Sequence, residues 1–191
     1  MKRIHHAIVL STLLGCFVLA ITCLAVGTTS PAEAALSPGV SPSAASAYNE
    51  GPCRVSDQYP ASIRQWCGLI THFADAHNLP PDLIAALIWQ ESGGNALAYS
   101  KSGAVGLMQV MPRDGLAAKF QCINGPCFAD RPTTAELQEP AFNVAYGTRF
   151  LAGLVGHWDN TRDALKAYGP MNVGYSYADK VLALYEMYGS R

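Results

Sequence analysis

The sequence predicts a mainly α-helical domain with little or no β-sheet. Three observations carry that expectation. Apolar side chains recur at helical spacing, first in Ile63, Trp66, Cys67, Ile70, Phe73 and Ala74 and again in Ile84, Leu87 and Ile88. Boundary signals stand where the periodicity stops: Pro80-Pro81 ahead of one helix, Gly93-Gly94 behind it, and Thr133-Thr134 just before Glu136. The chain has 191 residues and is 50% apolar, enough for one domain of ordinary size with a substantial core.

Taken in order, the chain opens on Lys2-Arg3-Ile4-His5-His6 and then an uncharged, mostly apolar run from Ala7 to Val26. Ala32-Glu33-Ala34 follows as an A-x-A pattern, so residues 1–34 read first as a signal peptide cut after Ala34. The second reading is an uncleaved membrane anchor through residues 7–26, because about twenty apolar residues also span a bilayer. Leu13-Leu14-Gly15-Cys16 is a poor lipoprotein box, since Cys16 sits inside the apolar run with more of it behind. Every reading places the remainder outside the cytoplasm, secreted or periplasmic. Residues 35–50 turn to Ser, Pro, Ala and Gly without hydrophobic period and read as a flexible linker. Residues 51–191 form the folded domain.

Within that domain, one helix is expected from Ser62 to about His77. Asp82 opens a short helix that ends at Glu91 before Gly93-Gly94. Gly106 to Pro112 reads as another short helix. Thr133 or Thr134 caps a long one with Glu136 in its first turn, and Pro140 falls near its start. Two more are expected at Thr161–Tyr168 and Ser176–Tyr188. The stretch between Asn95 and Gly106 is the one place with room for a small hairpin.

Four cysteines belong to the domain: Cys53, Cys67, Cys122 and Cys127. An even number in an exported chain favours disulfides, although four cysteines allow three connectivities. Local pairing is expected. Cys53–Cys67 would pin the lead segment to the first helix, and Cys122–Cys127 would close a loop whose Asn124-Gly125 is a turn former. No CxxC occurs and no His is spaced to complete a zinc site, so no metal is expected. No cofactor is expected either. His72, His77 and His157 share no close helical face and read as surface or loop residues.

The residue that carries chemistry is Glu91. It follows Ile84, Leu87 and Ile88 at i, i+3, i+4, i+7 and so shares their apolar face. Loss of water disfavours its charged form, and so does the negative pole of the helix that ends beside it. Both effects push its pKa toward the roughly 6–7 that suits a general acid near neutral pH.

Glu91-Ser92, Ser100, Gly103-Ala104-Val105-Gly106-Leu107-Met108-Gln109 and Met111-Pro112 closely resemble the signature of the SLT-type lytic transglycosylases. These are lysozyme-like enzymes, related to the goose-type lysozymes, that cleave peptidoglycan glycan strands. A second block, Glu136-Leu137, Pro140, Asn143 and Gly147-Thr148-Arg149-Phe150-Leu151, is similar to the same family. The resemblance runs from about Ser62 to Tyr188 and implies a helical, lysozyme-like domain around a glycan-binding cleft. It also implies a single catalytic carboxyl, Glu91, acting first as acid and then as base. The MurNAc–GlcNAc bond would then break with formation of a 1,6-anhydro ring. By the same resemblance Ser100, Gln109, Met111, Tyr168 and Asn143 are substrate-binding candidates. An amide offers donor and acceptor to sugar hydroxyls, and Met gives an adaptable apolar wall. Met108 is read as core. Ser100 reads equally as a turn serine that satisfies backbone, and Asn143 reads also as a bond across to the catalytic loop or as a residue of a solvated helix surface.

The chain departs from the family pattern at Ala167-Tyr168-Gly169-Pro170, where an Asn-Ala pair is missing after the tyrosine; Tyr168 remains a cleft candidate that could bond Glu91 or a sugar. Asp114 is the candidate second carboxylate should the enzyme instead be a goose-type hydrolase. A third reading is a catalytically weak peptidoglycan-binding module, against which the half-buried acid argues. Trp66, Tyr175, Tyr177, Tyr185 and Tyr188 are read as core or rim. Formal net charge is −1 with no basic stripe, which argues against a nucleic-acid partner. The sequence leaves oligomeric state open.

Overall fold

A computed structural model describes residues 48, 51–120, 131–158 and 160–189. The N-terminal segment, most of the linker, and Cys122 and Cys127 lie outside the described residues. The described chain is helical: α1 (Ala61–Arg64), α2 (Cys67–Ala76), α3 (Pro81–Ser92), a 3-10 turn (Gly115–Lys119), α4 (Thr134–Leu137), α5 (Pro140–His157), α6 (Thr161–Tyr168) and α7 (Ser176–Tyr188). Among the described residues there is no strand; extended pairing is limited to the isolated antiparallel bridges Tyr99–Val105 and Val105–Val110. No helix among them is long and apolar enough to cross a membrane.

Helix α3 is the centre of the domain. Leu83 through Ile88 are all buried, so α3 is enclosed on every side rather than along one stripe, as a helix apolar all round must be. Helices α1, α2 and α7 pack against it, and α5 and α6 complete the shell. Pro81 begins α3, where a missing N–H leaves no bond unmade, and Gly93 ends it with φ 64°. Helices α6 and α7 coincide with the segments expected from the sequence.

Three elements differ from expectation. The single helix over 62–77 is two, broken at Gln65-Trp66. There the Trp66 indole donates to the Gly94 carbonyl at 2.9 Å, and a Cβ on Gly94 would fall 2.1 Å from the Ser62 carbonyl oxygen. The α1 turn therefore docks on the exit of α3, and the chain re-enters helix at Cys67, which is disulfide-bonded to Cys53 with Cα atoms 5.2 Å apart.

The long helix expected from Thr133 is also two. Thr133 closes a capping box with Glu136 at the start of α4, and Pro140 then begins α5, because its ring cannot sit inside a continuous helix.

The segment from Gly106 to Pro112 is not helical. Val105 and Val110 exchange both backbone hydrogen bonds, at 2.9 and 3.1 Å, and so close a tight turn over Gly106 to Gln109. Gly106 (φ 79°) and Gln109 (φ 47°) are both left-handed, which an α-helix excludes. The 3-10 turn at Gly115–Lys119 has no counterpart in the sequence reading.

Candidate active site

Helix α3 delivers Glu91 to its last turn, half-buried and facing a cleft of about 540 Å³. Ser100, Ser102, Ala104, Gln109 and Met111 line the cleft from the loop that follows α3. Phe150 lines it from α5, and residues 167–172 from the end of α6 and the turn beyond. Phe120 completes the described lining. Among these residues Glu91 is the sole carboxyl group, and none is Lys or Arg.

Burial lifts the Glu91 pKa from its ordinary 4.5 to about 7. A hydrogen bond from the Tyr177 hydroxyl to Glu91 Oε1 pulls the other way without cancelling it. The Tyr177 phenol is itself pushed far up, first by burial and then by the negative charge of Glu91. It therefore stays a proton donor whichever state Glu91 is in. A carboxyl so placed holds a proton near neutral pH and can also exist as an oriented carboxylate, the two states an acid–base catalyst needs.

The loop is fastened from two sides, by α3 and by α5. Next to Glu91, Ser92 donates to the Leu107 carbonyl at 2.8 Å and accepts from the Gly94 N–H at 3.2 Å. From α5, the Asn143 amide accepts from the Met108 N–H at 2.8 Å and donates to the carbonyls of Val105 at 2.9 Å and Leu137 at 2.8 Å. Tyr168 adds a bond at 2.9 Å from its hydroxyl to the Met108 carbonyl. Glycine is required at Gly106, where a Cβ would lie 2.1 Å from Asn143 Nδ2.

Of the residues singled out from the sequence, Ser100, Gln109, Met111 and Tyr168 thus share one cleft with Glu91. Ser100 Oγ accepts the Ala104 N–H at 2.8 Å, and the Gln109 side-chain nitrogen donates to Gly106 and Ala98 carbonyls, so both also hold the loop. Asn143 does not line the cleft; it is fully buried beneath the loop it supports. Met108 is core, with its sulfur against Gly147 and the Thr148 hydroxyl.

Asp114 is turned to Thr134. It accepts from the Thr134 N–H at 2.8 Å and hydroxyl at 2.6 Å, which holds its pKa below the usual carboxylate range, and it does not line the cleft.

Tyr177 is the residue the sequence reading missed, having been placed with the core and rim aromatics. No signal in the sequence tied it to Glu91, which lies 86 residues away. In the structure a Cβ on Gly169 would meet the Tyr177 ring at 2.3 Å, so the turn after α6 lies directly on the tyrosine that bonds Glu91. Among the described residues, no three His, Cys, Asp or Glu side chains gather closely enough to hold a metal ion.

The model of the Transglycosylase SLT domain matches residues 68–181. The endo-type membrane-bound lytic murein transglycosylase A of Citrobacter koseri is 36% identical over 88 residues, 46% of this chain and 42% of that protein. Membrane-bound lytic murein transglycosylase E of Buchnera aphidicola is 32% identical over 93 residues, 49% of this chain and 41% of that protein. The chain thus spans about two fifths of the length of these curated relatives. A solved structure, an inactive mutant of lytic transglycosylase Slt from Pseudomonas aeruginosa, aligns with TM-score 0.48 and 23% identity over 63% of this chain and 23% of that one.

Proposed function

The chain belongs to the Transglycosylase SLT domain family, and from that premise we propose that it is a peptidoglycan lytic transglycosylase with Glu91 as acid and then base. The observation that carries the reading is Glu91, half-buried with its pKa raised to about 7, held by Tyr177 and standing as the sole carboxyl among the described residues of the cleft.

The steps follow from that proton. Glu91 gives it to the glycosidic oxygen between MurNAc and GlcNAc, and the C1–O4 bond breaks as positive charge develops at C1. The substrate's own acetamido oxygen stabilises that charge. The Glu91 carboxylate, still bonded by Tyr177, then takes the proton of the C6 hydroxyl on the same MurNAc, whose oxygen attacks C1. The products are a GlcNAc with a free 4-hydroxyl and a 1,6-anhydro-MurNAc end, with no water consumed and Glu91 protonated again. Gln109 and Ser100 supply polar contacts to the sugars, while Met111, Phe150 and Tyr168 supply apolar wall.

The relatives' names include the word membrane-bound. Together with the apolar run at residues 7–26, they support an extracytoplasmic enzyme, secreted or tethered to the membrane by that segment.

The test is mass spectrometry of the soluble products when the full-length protein digests peptidoglycan, beside Glu91→Gln. Muropeptides lighter by one water, absent from the mutant digest, are the expected result. Reducing-end products would replace the reading with a hydrolase. A folded wild type that binds the wall and releases nothing would make it a binding module.

A further inference from the structure

Beside the cleft, α5 carries a second depression of about 260 Å³, lined by Tyr146, Arg149, Phe150, Gly153 and Leu154. These positions are three, four, seven and eight residues on from Tyr146, so they form one strip along a single helical face. Phe150 lines both hollows, and its ring lies against Tyr168 with centroids 5.4 Å apart, so the groove and the cleft adjoin at one aromatic side chain.

Two features mark the strip as a built surface. The Arg149 guanidinium lies over the Tyr146 ring at 5.2 Å, which holds its flat fork in place while leaving it exposed. Gly153 stands in the helix interior, where glycine is unfavourable relative to alanine, yet a Cβ there would meet nothing within 4 Å. No packing demands the glycine, and its effect is to leave the floor of the groove open.

We infer that this groove binds the peptide stem of the muramoyl residue being cleaved, with Arg149 pairing a stem carboxylate. The inference rests on the transglycosylase reading. That substrate carries, on the lactyl group of each MurNAc, a peptide with several carboxylates, which must leave the cleft beside Glu91. The described cleft lining offers it no cation, whereas the groove one residue beyond offers a guanidinium, whose planar fork matches a carboxylate.

The test compares two substrates with the full-length protein: glycan strands bearing their stems, and the same strands stripped of stems by an amidase. The readout is the ratio of kcat/KM for the first over the second. Wild type favours stem-bearing strands, and Arg149→Ala lowers the ratio about ten-fold, mainly through KM. Arg149→Lys falls between the two, because it keeps the charge and loses the fork. Gly153→Leu, which fills the groove and touches no charge, lowers the ratio as well. A wild-type ratio near unity, or one that neither Arg149→Ala nor Gly153→Leu moves, overturns the inference and leaves the transglycosylase reading intact. If wild type cleaves neither substrate, that reading fails and the stem site falls with it.

Discussion

Tyr177 donates its phenolic hydrogen to Glu91 across 86 residues of sequence, joining the second residue of the last helix to the end of the central one. The bond steadies the carboxylate, while burial favours the acid, and the position of Glu91 near neutral pH is the balance of the two.

Removing the hydroxyl tips that balance. In Tyr177→Phe the bond that lowers the Glu91 pKa is gone and burial acts alone. On the proposed mechanism the alkaline limb of the kcat/KM profile follows loss of the Glu91 proton and is therefore expected to move to higher pH. At the same time kcat falls, because the carboxylate formed in the first step loses its partner. A pH–rate profile on peptidoglycan checks both; an unmoved limb would show that the bond does not set the pKa.

With Glu91 as the proposed acid, Glu91→Gln is expected to lower turnover by roughly a hundred- to ten-thousand-fold. It also changes stability with a definite sign. The folded pKa of about 7 lies above the ordinary 4.5, so the folded state holds the proton more tightly. The stability this group contributes is fully present below pH 4.5 and is lost as pH rises through about 7. The glutamine variant therefore gains on wild type between those limits, by on the order of 3 kcal/mol at full ionisation. Urea denaturation at both ends of the range measures it, and a difference independent of pH would contradict the raised pKa.

Asn143 is fully buried and makes three hydrogen bonds that hold the loop over residues 105–108 and the end of α4. Asn143→Ala leaves buried backbone groups unpaired and costs about 2–4 kcal/mol. Gly106→Ala is expected to be as damaging, since the new methyl would collide with the same amide from a left-handed backbone. Thermal melts of both variants check this; a wild-type midpoint in either would mean that the loop has another support.

The Cys53–Cys67 disulfide closes a short loop at the edge of the domain, with Thr71 of α2 also accepting the Arg54 N–H at 3.0 Å. Reduction, or Cys53→Ser, is expected to remove about 3 kcal/mol, the typical value for a loop of this size. Denaturation with and without reductant reads the effect directly.

The sequence by itself determined what local physics decides. Helices α6 and α7 stood at the expected positions because their periods and boundaries are written in adjacent residues. Glu91 was legible for the same reason: an acid one turn beyond Leu87 and just ahead of Gly93 is desolvated wherever the helix packs. Tertiary structure decided the rest, because it depended on bonds between distant segments. The segment after Gly106 became a turn when Asn143, 38 residues from Val105, met its backbone groups. The first helix broke where Trp66 found the carbonyl of Gly94, 28 residues on. Tyr177 became part of the site because Gly169 let the chain pass close over its ring. Local periodicity reports which face a side chain shares with its neighbours. Which remote donor will satisfy a buried acceptor is known only once the helices have packed.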